Sequence, residues 1–256
     1  MDYAPGGDMG MALANHRRFS VELARIYAAE IVLALEYLHK QNIIFRDLKP
    51  DNVVFDQDGH AMLTDFGLSK TGVGSSDVSQ SFCGSVAYLA PEMLRRTGHS
   101  RSIDWYLLGV LIYEMLVGVP PYFNTSKSKL FENIQQGPLK IPHTMPHDAR
   151  QIILLLLNRN PQKRLGATND AEEVKAHEFF ASIDWSNIAA RQGEVLAPTV
   201  RPVKHDTKSI RQFLQQERES RERFADFERT NLRGPQAAQR ANVENWSFVR
   251  STEPRP

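Results

Sequence analysis

Acidic and amide side chains, with a lysine among them, crowd into one stretch of the chain, residues 43–70, which reads IIFRDLKPDNVVFDQDGHAMLTDFGLSK. Asp47, Lys49, Asn52 and Asp65 stand on short connections between strand-like apolar runs. Polar groups so placed read as an active site, because rigid strands fix a loop residue while its polar end stays accessible. The runs are residues 43–45, 53–55 and 61–63. Between the last two, Asp58-Gly59 offers the positive-φ turn that a tight hairpin wants. Asp, Asn and Gly are also common in turns for local hydrogen-bonding reasons, so a lone Asp-Phe-Gly carries little weight. The combination is far more specific.

The combined pattern resembles the eukaryotic protein kinases, and the roles that follow are those the resemblance implies. Arg46-Asp47-Leu48-Lys49-Pro50-Asp51-Asn52 is similar to the catalytic loop. Asp47 would accept or orient the substrate hydroxyl proton, Lys49 would neutralise charge on the transferring phosphoryl, and Asn52 would hold Mg2+. Asp65, opening Asp65-Phe66-Gly67, would chelate the Mg2+ that bridges the phosphates of ATP, in a reaction that depends mostly on positioning and charge neutralisation. Phe45 stands where the HRD motif has histidine. An aromatic residue there is common in the AGC group, and no proton transfer is lost, because that histidine is a packing residue. The resemblance is thus to an AGC-like serine/threonine kinase with ATP and Mg2+ as cofactors.

Elements on either side must hold these groups. Residues 1–10 match the segment joining the two kinase lobes, where backbone groups of Met1, Asp2 and Ala4 would face adenine and Asp8 would lie near the ribose. A flexible Pro-Gly terminus is the plainer reading of those residues; their place just upstream of a helix and the catalytic loop decides against it. Ser20 would cap a helix over 21–39, with Glu22 in its first turn. Apolar residues cover nearly all its faces, the mark of a buried strut. Residues 71–80 are Gly- and Ser-rich, a mobile loop, and residues 81–92 are similar to the end of an activation segment. Ser81 is its candidate phosphosite, whose phosphate would bring about two negative charges beside Arg46. Ser85 stands where serine/threonine-specific kinases place a hydroxyl that touches the catalytic Asp and Lys. Val86 and Ala87 replace the proline and glutamate usual in the group, which puts part of the substrate preference in doubt.

Further along, Ser102 would cap a helix over 103–117, stopped by Gly118 with Pro120 and Pro121 beyond. Asp104-Trp105 matches the family's DxW, whose aspartate braces the catalytic-loop backbone. Arg164 would pair with Glu92, since burying either charge alone would be costly. Other helices are expected over 129–136, 148–157 and 170–177. His143 and His147 have a metal-like spacing, but Pro146 breaks the helix that would align them.

Composition sets outer bounds. The 256 residues are 41% hydrophobic, enough for one sizeable core, and 31 basic against 30 acidic residues leave a net charge of +1, which implies no nucleic-acid partner. The longest apolar runs, 107–119 and 152–157, are too short or, at Glu114, too interrupted to span a bilayer. With no basic-then-apolar leader, a cytoplasmic protein without a transmembrane segment is expected. The single cysteine, Cys83, cannot close an internal disulfide and reads as a small packing residue.

After Phe179-Phe180 the chain turns polar and charged, notably over 204–223, and cannot build a second core. The resemblance makes residues 1–180 the kinase large lobe and 181–256 the AGC C-terminal tail. In that tail Phe224-Ala225-Asp226-Phe227 would be the tether near the nucleotide, and residues 243–248 a degenerate hydrophobic motif phosphorylated at Ser247. The fold expected is α+β, mainly helical, with short β-hairpins at the active site. No Gly-rich strand-loop and no VAIK-type lysine precede the lobe-joining segment, so the small lobe is expected to be missing and the chain alone to be inactive. Asp8, Asp51 and Glu114 match AGC positions that form an acidic subsite. The partners implied are therefore protein substrates with basic residues before Ser or Thr, and an upstream activating kinase. A non-catalytic, pseudokinase-like binding or scaffold module is the other reading, and the intact Asp47, Lys49, Asn52 and Asp65 weigh against it.

Overall fold

A computed structural model describes residues 4–71, 86–95, 98 and 100–192. The expectations placed on Met1, Asp2, residues 72–80, Ser81, Cys83, Ser85, Ser247 and the tail motifs beyond residue 192 lie outside the described residues.

Helix α4 (Ser102–Val117) has no polar stripe along SIDWYLLGVLIYEMLV, and a helix apolar on all faces needs neighbours on every side. All of its 16 residues except Glu114 and Val117 are buried. Two longer-range partners enclose it, α2 (Val21–Lys40) and α6 (His147–Leu156). Where α4 meets α6 a Cβ on Gly109 would lie 2.8 Å from Leu156 Cβ, so glycine sets how closely the two helices approach. Gly118 ends α4 at φ 93°, its N–H donating to the Glu114 carbonyl at 2.7 Å. A side chain there would be strained in conformation and would also collide with the Arg17 carbonyl.

Helix α2 starts as its sequence requires. The Ser20 hydroxyl accepts from Leu23 N at 3.2 Å, Glu22 lies in the first turn, and His39 and Lys40 lie in the last. Four short strands follow it. β2 (Val53–Phe55) and β3 (Ala61–Leu63) form the expected antiparallel hairpin, while β1 (Ile43–Ile44) pairs with β4 (Lys70–Thr71), a partner the sequence reading did not supply. β1 stops one residue short of the expected run because the Phe45 amide turns to the Asp104 carboxylate at 2.9 Å instead of to a strand.

Several expectations need correction. The hairpin loop is the five residues 56–60, not a two-residue turn: Asp56 Oδ1 accepts from Asp58 N and His60 N, each at 2.9 Å, and Gly59 takes φ 87°. Ser102 does not cap α4. The helical turn begins earlier, with Ile103 N on Ser100 O and Asp104 N on Arg101 O, so Arg101 occupies the cap position and Ser102 is buried within the helix. The remaining helices differ from expectation by one or two residues at their ends: α5 (Lys127–Gln136), α6, and α7 (Asp170–Lys175). The sequence reading placed no helix at α1 (Met9–His16), α3 (Pro91–Arg95) or α8 (Trp185–Ala189). No described helix is long and apolar enough to cross a membrane.

The expected ion pair between Glu92 and Arg164 is present and buried. Arg164 Nη1 lies 2.6 Å from Glu92 Oε1 and Nη2 lies 3.0 Å from Oε2, with further bonds to the carbonyls of Ser102 and Asn158. Removing one partner strands the other charge in the interior. Arg164→Met should therefore cost about 3–5 kcal/mol, read from the denaturation midpoint at unchanged slope. Adding Glu92→Met should recover much of that loss. A single-variant loss below about 1 kcal/mol, the range of exposed pairs, would contradict the buried geometry.

Candidate active site

The loop from Phe45 to Lys49 leaves β1 with Arg46 at φ 67°, unusual for a side-chain residue, and it is held there from outside. Asp104, fully buried in α4, accepts from Phe45 N at 2.9 Å and from Arg46 N at 2.8 Å. The buried Arg46 donates from Nε to the Leu68 carbonyl at 2.7 Å, tying this loop to the segment after β3. A single turn of 3-10 helix, Pro50–Asn52, then leads into β2.

This brings Asp47, Lys49 and Asn52 together as the sequence predicts. Asn52 Nδ2 donates to both the carbonyl and Oδ2 of Asp47 at 2.8 Å, and Lys49 Nζ lies 3.3 Å from Oδ2. Asp47 is only 5% exposed, and among the described residues its Oδ1 has no hydrogen-bond partner. Burial pushes its pKa up; Lys49 and Asn52 oppose that, and Asp65 adds to it. A buried carboxylate oxygen of heightened basicity, left without a donor, is suited to take a hydrogen bond, and then a proton, from an incoming group.

Asp65 follows β3 in left-handed conformation, φ 61° and ψ 75°, and its side chain accepts from Gly67 N at 3.2 Å. It is exposed, as is the Phe66 ring beside it, which packs edge-on to Phe45 at 5.4 Å. Thr64 N donates to the Asn52 carbonyl at 2.9 Å, so the Asp65 and Asn52 loops are fixed to each other. The donor set fits a hard cation: the Asn52 amide nitrogen faces Asp47, leaving its oxygen as the end for a metal, and the Asp65 carboxylate is exposed. No group of three or more His, Cys, Asp or Glu suited to a metal exists among the described residues. Mg2+ does not need one, since it is commonly bound by one or two protein oxygens together with waters and phosphates.

The residues expected to meet a substrate's basic side chains lie to one side. A cleft of about 510 Å³ is lined by Gly10, Leu13, Pro50, Asp51, Tyr88 and Glu114, among others. The Tyr88 hydroxyl donates to Glu114 Oε2 at 2.5 Å. Burial raises the Glu114 pKa to about 7, against the Tyr88 hydrogen bond and with a contribution from Asp51. Asp8 caps α1, accepting from Met11 N at 2.7 Å; burial, and after it the Asp51 charge, push its pKa up against that bond. A Cβ on Gly10 would come within 3.2 Å of Asp8 Oδ1 and 3.6 Å of Asp51 Oδ1, so the glycine keeps the gap between these acids open. Ahead of Asp8, Gly6 N donates to the Phe55 carbonyl at 3.0 Å and Phe55 N to the Gly7 carbonyl at 2.9 Å, which lays the segment that begins at Ala4 beside β2.

Sequence reasoning missed the Tyr88–Glu114 bond, the capping of α1 by Asp8 and the opening at Gly10. An Asp-x-x-Met-type cap just before α1 was a usable signal; the tyrosine contact, 26 residues apart, had none.

A model of the protein kinase domain matches residues 1–180. RAC-beta serine/threonine-protein kinase A of Xenopus laevis is 42% identical over 203 residues, 79% of this chain and 41% of that protein. Human serine/threonine-protein kinase Sgk2 is 45% identical over 188 residues, 73% of this chain and 51% of that protein. Protein kinase 2 of Dictyostelium discoideum is 45% identical over 195 residues, 76% of this chain and 40% of that protein. The chain thus spans about two fifths to one half of the length of these curated relatives.

The raised Glu114 pKa has a measurable consequence. Below about pH 7 this carboxyl is protonated, and above it the cleft gains a negative charge. Binding of a short Arg-containing peptide, followed by fluorescence anisotropy, should strengthen as pH rises through about 7. Tyr88→Phe removes the hydroxyl that favours the ionised form and should move the midpoint to higher pH. A flat profile would show that Glu114 does not face the peptide.

Proposed function

Because the chain belongs to the protein kinase family, within its AGC serine/threonine group, we propose that it supplies the large lobe of an enzyme transferring the γ-phosphoryl of ATP to Ser and Thr hydroxyls of proteins. The observation that carries this reading is Asp47, whose buried Oδ1 has no donor among the described residues while Oδ2 is fixed by Asn52 and Lys49.

In this reading Asp47 Oδ1 accepts the hydrogen bond of the substrate hydroxyl and takes its proton as the new P–O bond forms and the bond from the γ-phosphorus to the bridging oxygen breaks, that oxygen leaving with ADP. Asn52, through two bonds to Asp47, prevents the carboxylate from rotating away. Lys49 places a positive charge beside Oδ2, the other oxygen of that carboxylate, where it would neutralise the passing phosphoryl. ATP would supply the phosphoryl group, and Asn52 and Asp65 would hold the Mg2+ that neutralises its charge. The backbone of Met1, Asp2 and Ala4, with Asp8, would line the nucleotide site. The acids Asp8, Asp51 and Glu114 favour substrates with Arg or Lys before the accepting residue, since a cation entering the cleft relieves their mutual repulsion.

The same proposal divides the chain at about residue 180 into large lobe and AGC tail and places the enzyme in the cytoplasm. It makes Ser81 and Ser247 phosphosites, with Ser85 beside the substrate, and gives Ser81 an upstream kinase and Arg46 as the partner of its phosphate. Arg46 supports that role by already joining the catalytic loop to the segment after β3.

The test supplies the nucleotide roof, since in-line transfer needs the phosphates held as well as the hydroxyl. Joined behind a small lobe from a relative, the chain should phosphorylate an Arg-containing Ser peptide in the presence of Mg2+ and ATP. Asp47→Asn should lower kcat by about 10²–10⁴-fold with little change in peptide KM, and Asp65→Ala should abolish turnover. Equal turnover in Asp47→Asn would remove the basis of the proposal.

A further inference from the structure

Two members of one buried cluster, His39 and Asp170, have no role in the reading above. The imidazole of His39, near the C-terminal end of α2 and wholly buried, meets a carboxylate at each nitrogen. Nε2 lies 2.9 Å from Asp104 Oδ2, and Nδ1 lies 2.8 Å from Asp170 Oδ1. A neutral imidazole has one N–H and one lone pair, so it can satisfy only one of two facing carboxylates. A proton on one of the three groups resolves the conflict, and their other neighbours decide which. Asp104 also accepts from the amides of Phe45 and Arg46, and Asp170 from Trp105 Nε1 at 2.9 Å, with Arg101 at 3.6 Å. Such donors favour the ionised form of each acid, so the proton belongs on the ring.

We infer that His39 is a buried imidazolium through which Asp170 positions Asp104, and with it the backbone of Phe45 and Arg46 that carries Asp47. Asp170 and His39 are positioning residues; neither touches the reacting atoms.

Both ends of this relay hold uncommon backbone. Arg46 has φ 67° and Asp170 φ 50°, conformations that persist in side-chain residues only where contacts over-determine them. The connection before Asp170 is pinned to α4 as well, by Arg164 on the Ser102 carbonyl and by Gly166 against Trp105, where a Cβ would lie 2.5 Å from Cδ1. The cluster sets the direction of the ring's pKa. Burial, the largest influence, would lower it, but the hydrogen bonds and charges of Asp104 and Asp170 together raise it to about 9. Arg101, behind Asp170, is the other charge in the cluster. Elsewhere along α2, Glu36 pairs with Lys40 of the same helix and with Lys175 of α7, which also holds Glu172, and His60 of the β2–β3 loop pairs with Glu30.

The functional consequence rests on the catalytic-loop reading, but the test needs no activity, so failure of one is distinguishable from failure of the other. In the 256-residue chain with 15N-labelled histidine, both His39 ring nitrogens should be protonated at neutral pH. Stability contributed by a group with a raised pKa is lost as pH rises through the folded value. Amide protection at Phe45 and Arg46 should therefore fall as pH rises through about 9, beyond any change at Ile152 and Ile153 of α6. Asp170→Asn should speed exchange at Phe45 and Arg46 on the order of tenfold and bring the ring pKa down, leaving α6 within about twofold of wild type. A His39 ring with one bare nitrogen at neutral pH would overturn the inference. So would equal loss of protection in α6. Should Asp170→Asn not fold, the wild-type ring signal and its pH-dependent protection decide alone.

Discussion

The geometry of the proposed site depends on one carboxylate that is wholly buried. Asp104 faces two consecutive amides, Phe45 N and Arg46 N, at the point where β1 ends and the chain must turn sharply. Those amides have no strand to pair with, and a buried unpaired N–H is costly, so the aspartate both terminates the strand and fixes where the loop begins. Asp104 can do this because it is mounted on α4, which is packed on all sides and cannot shift without disturbing α2 and α6 together. Rigidity of the apolar interior is thereby transmitted to a polar loop through two hydrogen bonds.

From that anchor, short-range bonds do the rest. Arg46 reaches the Leu68 carbonyl, Asn52 holds Asp47 at two oxygens, and the Asn52 carbonyl takes Thr64 N just ahead of Asp65. Three loops from different parts of the stretch are thus set relative to one another by backbone contacts. The functional side chains remain available at their tips. Arg164 and Glu92 act at longer range, locking the region after α6 to α3 and, through the Ser102 carbonyl, to the first turn of α4.

What the sequence made legible was whatever is local or carried by a known motif. Ser20 before VELARIYAAE and Gly118 before two prolines marked helix ends because their effects act within one turn. Asp47, Lys49, Asn52 and Asp65 stood out because a motif fixes their spacing. The pairing of β1 with β4 was not legible, since two-residue strands carry no alternation to read. Ser102 misled because Ser100 lies two residues earlier and the turn forms on its carbonyl instead. His39 and Asp170, 131 residues apart, share no pattern that would announce a contact. The Asp56 loop shows a different limit: Asp58-Gly59 was a fair turn signal, but the Asp56 side chain bonding Asp58 and His60 made the longer loop the better one.

Buried acids of this chain differ in how completely they are satisfied. Glu92 is matched by the two guanidinium nitrogens of Arg164; Asp170 accepts from His39 and Trp105, which together with Arg101 hold its pKa below the usual carboxylate value despite burial. Such groups are already matched by donors within the protein. Asp47, Asp8 and Glu114 are the opposite: burial outweighs their partners and raises each pKa. An acid left short of donors in a protein interior is unfavourable until something cationic or proton-bearing arrives, so the deficit itself favours binding. Asp8 and Glu114 each feel the charge of Asp51, and Asp47 lies four residues before Asp51 in the proposed catalytic loop. The electrostatic cost is therefore concentrated where an incoming hydroxyl and its basic neighbours would relieve it.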